Sequence, residues 1–286
     1  MPVLAPQIQS LPIPEPLPIG QAVDLYSMLP LEWVQGPDSN SDRWLAGVTF
    51  VPRGISTSVN LTPLEDPCIT LENSFGTVQG FEAPATFLPF RVENAITCSA
   101  LGGFTQNELE QWILDETRSV ESFDLAKQVW GLGGPNLDLR DQADVITTGD
   151  VTPLGALSAV VGGLDRRLKG RRGLIHMSTA MLVRVVAAGA VTFRNGQYET
   201  AGGHRIVADA GYDGSAPAGQ ILGQSWIYGS GPVYYRMSPP EAPGLWWESF
   251  KRSHNDFVAQ VVRYGLFAFD PAFVVGARSD VATSIA

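Results

Sequence analysis

The sequence predicts an α+β protein built from three consecutive parts that differ in composition. Residues 11–18 alternate proline with mainly apolar residues. Residues 44–98 form short segments rich in valine, isoleucine, threonine and phenylalanine, broken by glycine and proline, and contain no lysine. The rest of the chain shows helical periodicity interrupted by short strand-like runs. This order is typical of an α+β chain that carries an extended N-terminal arm and a β-rich stretch outside its compact body.

The N-terminal arm is expected to start as extended chain. Residues 11–18 have the sequence LPIPEPLP, and because proline fixes φ and lacks a backbone N–H, this run favours a polyproline conformation. Leu11, Ile13 and Leu17 stand where a solvated linker would carry polar residues. An apolar arm is expected to lie on another surface, which favours an assembly protein over an enzyme. The β-rich residues 44–98 also need outside support, because long ribbons are poorly stable alone.

Composition and charge argue against two classes of protein. The 286 residues carry a net charge of −10, and only 17% of them are charged, below the usual quarter. Binding nucleic acid is therefore not expected to be the main function, although a locally basic face is compatible with this charge. The sequence has neither an export signal nor an apolar run of about 18 residues, so no membrane contact is expected.

Two other features of composition leave alternatives open. Lysine occurs only at Lys127, Lys169 and Lys251, and this bias towards arginine fits either an interface-rich protein or a GC-rich genome. Cys68 and Cys98 are too few for a disulfide framework. Each is expected to be a small buried residue in a reducing compartment, and a close pair in the fold is the alternative.

The clearest helix is predicted over residues 105–130. Thr105 and Glu108 have the spacing of a capping box, and the glycines that follow residue 130 end the helix. Apolar residues recur at helical spacing and are expected to form its buried stripe: Leu109, Trp112, Ile113, Val120, Phe123 and Trp130. A helix of this length spans roughly 37 Å at 1.5 Å per residue, so it could cross a whole subunit.

A second and a third helix follow. Thr152 and Pro153 predict the start of the second helix, as a cap and a first-turn proline. Its predicted apolar stripe is Leu154, Leu157, Val161, Leu164 and Leu168. Residues 173–177 then predict a short strand, and Ser178 a cap for the third helix.

The remaining strands are predicted from alternation and turn signals. Asn195–Gly196 lies between two strand-like runs and predicts a tight hairpin. Further strands are expected at 204–210, 224–230 and 232–238. Two closing strands, joined at Asp270–Pro271, complete the chain.

No catalytic, cofactor-binding or metal site is predicted. His176, His204 and His254 lack metal-ligand spacing and are expected to be structural. Ser225 lacks the second glycine of a nucleophile elbow. The glycines at 131–134 end a helix where a dinucleotide fingerprint would begin one.

One local cluster of charge is a candidate functional surface. It consists of basic residues at the end of the second helix: Arg166, Arg167, Lys169, Arg171 and Arg172. These side chains could complement the C-terminal dipole of that helix. Alternatively, they form an inter-subunit or inner-face patch that meets acidic neighbours or packaged nucleic acid. No aromatic residue interleaves with them, so base stacking is not expected.

Several stretches of the chain resemble the major capsid proteins of tailed bacteriophages, whose shell fold is shared with encapsulins. Residues 171–214, RRGLIHMSTAMLVRVVAAGAVTFRNGQYETAGGHRIVADAGYDG, are similar to the strand–helix–hairpin passage of actinobacterial-phage coat proteins. Residues 90–121, FRVENAITCSALGGFTQNELEQWILDETRSVE, resemble their approach to the long spine helix. Residues 253–277, SHNDFVAQVVRYGLFAFDPAFVVGA, resemble their closing β pair.

The resemblance implies a division into five regions. Residues 1–43 would be the N-terminal arm, and residues 44–98 the extended β loop with its flanking strands. A peripheral domain with the spine helix would cover 99–190, an axial domain 191–255, and closing β strands 256–286. The arm and the loop would then find apolar partners on neighbouring subunits.

The resemblance also implies a function and partners. The chain would be a coat protein that self-assembles through pentamers and hexamers into the icosahedral head of a tailed phage, with no catalytic activity and no cofactor. It would enclose double-stranded DNA through weak non-specific contact. Scaffold, portal and decoration proteins would be further partners, and assembly would take place in the host cytoplasm. Alternatives are an encapsulin-like shell around a cargo protein, a soluble α/β enzyme with a proline-rich arm, and a pentamer-specific or decoration protein of the virion.

Two departures from the capsid pattern matter for maturation. Some such proteins begin with a long charged helical segment that is removed after assembly, whereas here the body is expected to begin almost at once, so a scaffold would be a separate protein. Some cross-link neighbours through a lysine in the extended loop. Residues 44–98 contain no lysine, so this loop cannot supply that reaction.

Overall fold

The computed structural model describes residues 48–50, 85–99, 106–131, 137–146, 152–217, 224–238 and 256–280. The predicted arm and most of the predicted extended loop lie outside these residues, as do Thr105, Cys68 and His254. Helices and mixed sheets are both present, so the α+β class is confirmed.

Strands and helices alternate irregularly along the chain. The strands are β1 (Val48–Phe50), β2 (Ala85–Phe87), β3 (Phe90–Ser99), β4 (Asp144–Val145), β5 (Leu174–Ser178), β6 (Val191–Arg194), β7 (Gln197–Thr200), β8 (Arg205–Asp209), β9 (Gln224–Ser230), β10 (Val233–Met237), β11 (Asp256–Phe269) and β12 (Val275–Asp280). The α-helices are α1 (Gln106–Trp130), α2 (Leu139–Gln142), α3 (Pro153–Leu168) and α4 (Thr179–Ala187). A 3₁₀ turn covers Pro271–Phe273, between β11 and β12.

Local capping signals place the starts of two helices as predicted. Thr152 Oγ1 accepts a hydrogen bond from the Gly155 N–H at 3.1 Å, so α3 begins at Pro153. Ser178 Oγ accepts from the Met181 N–H at 3.3 Å and starts α4. These contacts satisfy N–H groups that the first turn of a helix leaves without a partner.

The hairpin predicted at Asn195–Gly196 is confirmed. Asn195 has a φ of 52° and Gly196 a φ of 78°, the left-handed values that a type I′ turn requires at both central positions. β6 and β7 pair antiparallel on either side of this turn, with Arg194 opposite Gln197.

A short ribbon joins the two ends of the predicted extended loop. β1 and β2 pair antiparallel, with Val48 opposite Phe87 and Phe50 opposite Ala85. The side chain of Phe87 is fully buried and contacts the ring of Phe269 at a centroid distance of 5.3 Å, which fixes the base of the ribbon to β11.

The described residues form two larger sheets. The first has the order β10–β11–β3, and β11 and β3 pair antiparallel over ten residues, from Asp256 opposite Ser99 to Gly265 opposite Phe90. The second has the order β4–β12–β9–β5–β8–β7–β6. In it β5 and β8 are parallel, as are β12 and β4, whereas the other neighbours are antiparallel.

The second sheet is covered on both faces. Successive side chains along each strand lie on opposite faces of the sheet, so they pack in two separate cores. In β8, Val207 packs with α1 and the first sheet, whereas Ile206 and Ala208 pack with α3 and α4. In β9, Tyr228 and Ile227 divide in the same way. The helices α3 and α4 therefore lie on the opposite side of this sheet from α1.

Contacts near the middle of α1 hold the helix to both sheets. Glu121 accepts two hydrogen bonds from Arg263 Nη1 on β11, at 2.8 and 2.9 Å. The hydroxyl of the next residue, Ser122, donates to Asp209 Oδ2 at the end of β8 at 3.1 Å. A β-carbon on Gly211 would lie 2.2 Å from the backbone oxygen of Phe123, so the helix comes closer to this loop than any larger residue allows.

Two predicted apolar stripes differ from the buried faces. In α3, Leu154 is exposed and Val161 is half-buried, while Val160 is fully buried and Leu157, Leu164 and Leu168 are buried as predicted. In α1, the predicted stripe included Trp112, Val120 and Phe123, which are exposed. The face of α1 that packs inward includes Thr117, Glu121 and Ser122, polar residues that hydropathy places outside.

The two closing strands do not pair with each other. β11 is the centre of the first sheet, and β12 lies between β4 and β9 in the second sheet. The reason is the 3₁₀ turn at Pro271–Phe273, which begins where Asp270 Oδ1 accepts from the Ala272 N–H at 3.1 Å and sends the chain to the other layer. The second sheet also takes strands from both sides of the predicted boundary at 190/191.

Candidate assembly surfaces

The predicted basic cluster lies where α3 ends and the chain turns into β5. Lys169 is the C-terminal cap, with a left-handed φ of 51°, and Gly170 follows with a φ of 76°. These two left-handed residues reverse the chain directly after the last helical turn. Four members of the cluster are exposed and make no ion pair with other described residues: Arg166, Lys169, Arg171 and Arg172.

Arg167, the fifth member of the cluster, has a structural role. Its Nη1 donates to the carbonyl oxygens of Ala272 at 2.8 Å and Val274 at 3.2 Å. Its Nη2 contacts the carboxylate of Asp144 in β4. Arg167 thus ties α3 to the 3₁₀ turn and to the edge of the second sheet. The sequence grouped five charges together, and the structure separates this one from the other four.

A buried histidine holds the base of the basic turn. His204 Nδ1 accepts from the Gly173 N–H at 3.0 Å, so the proton of the neutral ring lies on Nε2, which donates to Asp165 Oδ1 at 3.1 Å. A β-carbon on Gly203 would lie 3.1 Å from Arg172 Nε, which places the Arg172 side chain over the adjacent loop. The turn that carries the exposed cations is therefore fixed at both of its ends.

Among the described residues, several of the exposed large apolar side chains fall into two groups. On α4, Val183 is 68% exposed and Val186 is 39% exposed, and at the nearby β6–β7 hairpin Phe193 is 61% exposed. The second surface is the stripe of α1 that contains Trp112, Val120 and Phe123. Exposed apolar residues grouped on one element are typical of surfaces that meet another protein.

A buried polar network closes the space between α1 and the second sheet. His176 Nε2 and Ser230 Oγ are 2.9 Å apart, and the Ser230 hydroxyl also donates to the Gly231 carbonyl at 3.1 Å. Ser230 therefore accepts from His176 Nε2–H, and His176 Nδ1 accepts from the Tyr212 hydroxyl at 3.0 Å. Burial lowers the pKa of His176 from 6.5 to about 3, and it raises the pKa of Tyr212. The imidazole is therefore neutral, and both of its ring nitrogens are hydrogen-bonded within the core.

Neither of the two described histidines is placed to act as a base for Ser225. Ser225 is buried in β9, and a β-carbon on Gly214 would lie 2.5 Å from its hydroxyl oxygen. The ring nitrogens of His176 and His204 are all hydrogen-bonded to other groups. Among the described residues, no group of three or more His, Cys, Asp and Glu side chains could hold a metal ion. No helix in the described ranges is long and apolar enough to cross a membrane.

Comparisons with known proteins find likeness in structure only. Neither a protein-family model nor a curated protein matches the chain. A structure described as the capsid of Ralstonia phage GP4 superposes with a TM-score of 0.57 at 11% identity, covering 100% of both chains. A structure from Mycobacterium phage Ogopogo gives 0.55 at 12% identity, covering 96% of this chain and 97% of that one.

A third structure, described as the capsid of an empty GTA particle, gives a TM-score of 0.52 at 9% identity, covering 98% of this chain and 94% of that one. The described fold therefore matches that of phage capsid structures over nearly the whole chain, as the resemblance in sequence predicted. At this level of identity the likeness is one of fold.

Proposed function

We propose that this chain, which has the fold of phage capsid structures, is a major capsid protein of a tailed phage. Copies of it would assemble into an icosahedral head that encloses double-stranded DNA. The observation that carries the proposal is the match of fold over 96% or more of this chain with structures from two phages. A compact enzyme of the same class would not need the apolar arm and the extended loop that the sequence predicts.

The surfaces of the chain support self-assembly. Val183, Phe193 and the α1 stripe are apolar and exposed in a single copy, and association of copies would remove them from water. A closed shell needs contacts between different patches of neighbouring copies, because such head-to-tail contacts generate rings. Surfaces on opposite sides of the second sheet meet this requirement.

The predicted regions would be assigned as follows. Residues 1–43 would form an arm, 44–98 an extended loop whose ends meet at the β1–β2 ribbon, and 99–190 a peripheral domain containing α1. An axial domain at 191–255 would meet its copies at five-fold and six-fold positions. Because β5 pairs with both β8 and β9, we propose to move the boundary between these two domains, so that the peripheral domain would cover 99–151 and the axial domain 152–255.

The exposed cations Arg166, Lys169, Arg171 and Arg172 would face either an acidic neighbour or the packaged DNA. Such contact would be weak and without sequence preference, because phosphate contacts carry no base readout. A separate scaffold, a portal and decoration proteins would be further partners. The chain would have no catalytic role, and it would assemble in the host cytoplasm before becoming part of the virion.

The native mass of the purified chain tests the proposal. Light scattering and negative-stain images of the same fraction should show hollow megadalton particles, or pentamers and hexamers that close into them when a scaffold is co-expressed. Nuclease-protected double-stranded DNA in particles from infected cells would identify the cargo as a genome, whereas a protein cargo would favour an encapsulin-like shell. A monomer that remains unassembled with its scaffold would contradict the proposal.

A further inference from the structure

The exposed cations between α3 and β5 carry more positive charge than their own chain balances. We call Arg166, Lys169, Arg171 and Arg172 the basic turn; all four are exposed and make no ion pair with other described residues. The C-terminal dipole of α3 is equivalent to about half a negative charge, and the carboxylate of Asp165 supplies one more. Most of the charge of the basic turn is therefore left for an anionic partner.

The backbone of the basic turn is held in place before any partner binds. The Gly170 N–H donates to the Asp165 carbonyl in the last turn of α3 at 3.1 Å. At the other end, the Gly173 N–H donates to His204 Nδ1 at 3.0 Å. Ordering a flexible loop costs free energy on binding, and a loop that is already held avoids this cost. The basic turn is therefore a preformed surface for an anion.

The carboxylates of a neighbouring copy are less suited to this surface, because most of the described ones have partners of their own. Glu108, Glu110 and Glu116 on α1 have such interactions. Other carboxylates pair with a basic side chain of the same chain: Glu93, Asp115, Glu121, Asp124, Asp141, Asp144, Asp165 and Asp280. A neighbouring copy that used these groups to reach the basic turn would lose contacts that it already has.

The phosphate backbone of double-stranded DNA matches the charge and the chemistry of the basic turn. It carries one negative charge per about 1.7 Å of helix axis. Three of the four cations are arginines, whose planar guanidinium groups can each donate two parallel hydrogen bonds to one phosphate. No aromatic residue lies between positions 166 and 172, so the surface suits phosphates and does not stack bases.

We propose that the basic turn binds the phosphate backbone of the DNA enclosed by the shell, and that this turn therefore lies on the inner face of the shell. The inference rests on the proposed function, since only a shell that encloses DNA brings phosphates to this turn. The contact of one copy is weak and has no sequence preference, and it is repeated in every copy around the inner face.

Formaldehyde cross-linking in DNA-filled particles tests the contact. Particles of the full-length chain are treated with nuclease and then with formaldehyde, which joins an amine to a nucleobase only at short range, and the digested chain is analysed by mass spectrometry. Lys169 is the lysine of the basic turn and should carry the nucleotide adduct. Lys127 is the internal control, because α1 lies on the opposite side of the second sheet. Its yield should be several-fold lower when each yield is divided by the reactivity of the same amine in empty particles.

A matched pair of variants tests whether the charge of the basic turn holds the DNA. Arg171→Gln and Arg194→Gln each remove one exposed arginine, the first from the basic turn and the second from the β6–β7 hairpin. The adduct yield at Lys169 should fall several-fold with Arg171→Gln and stay unchanged with Arg194→Gln, because an arginine adds to binding only where it reaches a phosphate.

The outcomes separate this contact from the proposed function. DNA-filled particles in which Lys169 carries no more adduct than Lys127 would overturn the contact and leave the shell intact. Equal yields in the two variants would overturn the role of the charge. If Arg171→Gln prevents assembly and Arg194→Gln does not, the basic turn meets a neighbouring copy and the contact with DNA is overturned. If the unchanged chain forms no particles with its scaffold, or its particles enclose protein, the proposed function fails and the contact fails with it.

Discussion

Acidification is expected to destabilise the folded chain through His176, and this effect can be measured against a variant that lacks it. Burial lowers the pKa of this imidazole from 6.5 to about 3, so the folded chain keeps it neutral well into the acidic range. In the unfolded chain the same group binds a proton near its ordinary pKa. Between these two values the unfolded state holds one proton more than the folded state, and stability falls as the pH falls.

The size of the effect follows from the width of this window. Each pH unit within it corresponds to about 1.4 kcal/mol for one proton. At pH 4.5, roughly two units below the ordinary pKa of histidine, the loss attributable to His176 is about 3 kcal/mol relative to pH 7. This is a large part of the 5–15 kcal/mol or so that stabilises an ordinary domain. Below pH 3 no further loss from this group is expected.

Urea unfolding of the unassembled chain at pH 7 and pH 4.5 measures the difference. His176→Gln keeps a hydrogen-bonding side chain that stays neutral at both pH values, so its stability should fall by about 3 kcal/mol less than that of the unchanged chain. Tyr212→Phe is the control: it removes the hydroxyl that donates to His176 and should cost about 1–3 kcal/mol at both pH values. An equal loss on acidification with and without His176 would refute the reasoning.

Three further predictions concern packing, the basic cluster and cross-linking. Gly211→Ala places a carbon 2.2 Å from a backbone oxygen of α1 and should lower the free energy of unfolding by about 1–3 kcal/mol. Gly162→Ala has open space around the added carbon and should raise the free energy of unfolding by about 0.5–1 kcal/mol. Equal effects of the two variants in urea unfolding would contradict the close packing at Gly211. Arg167→Ala should lower the thermal midpoint, and Arg166→Ala should leave it unchanged, because only Arg167 bonds to the 3₁₀ turn. Particles boiled in detergent should run at single-chain mass, since residues 44–98 contain no lysine; a ladder of covalent multimers would disprove this.

The elements that the sequence predicts well are those whose signals are local. Thr152 and Ser178 cap helices through hydrogen bonds to residues three positions later, and the hairpin at Asn195–Gly196 depends on two residues. Such contacts need no knowledge of the rest of the chain. The long helix α1 also lies within a residue of its predicted bounds.

The orientation of α1 was not predictable from hydropathy. Its inward face carries Glu121 and Ser122, each of which bonds to a polar partner more than eighty residues away in sequence. Those partners make burial of the two polar side chains favourable, and the apolar Trp112 and Val120 are left outside. A pattern that assigns apolar residues to the core fails where polar groups meet distant partners.

It was also not predictable from local sequence that the two closing strands join different sheets. β11 and β12 are strand-like by composition, and the turn at Asp270–Pro271 suggests that they are neighbours. Which strand each one joins depends on residues far earlier in the chain, such as Val92 opposite Arg263 and Ile227 opposite Ala277. Pairing partners of that kind leave no local signal.

Because of the position of β12, the second sheet can be completed only after this strand has been translated. This strand inserts between β4 and β9, yet it follows every other described strand in the chain. While the ribosome is still adding residues 275–280, β9 has one free edge, and free edges recruit other strands. A chain that ends before residue 275 would lack β12 and would keep that edge of β9 open.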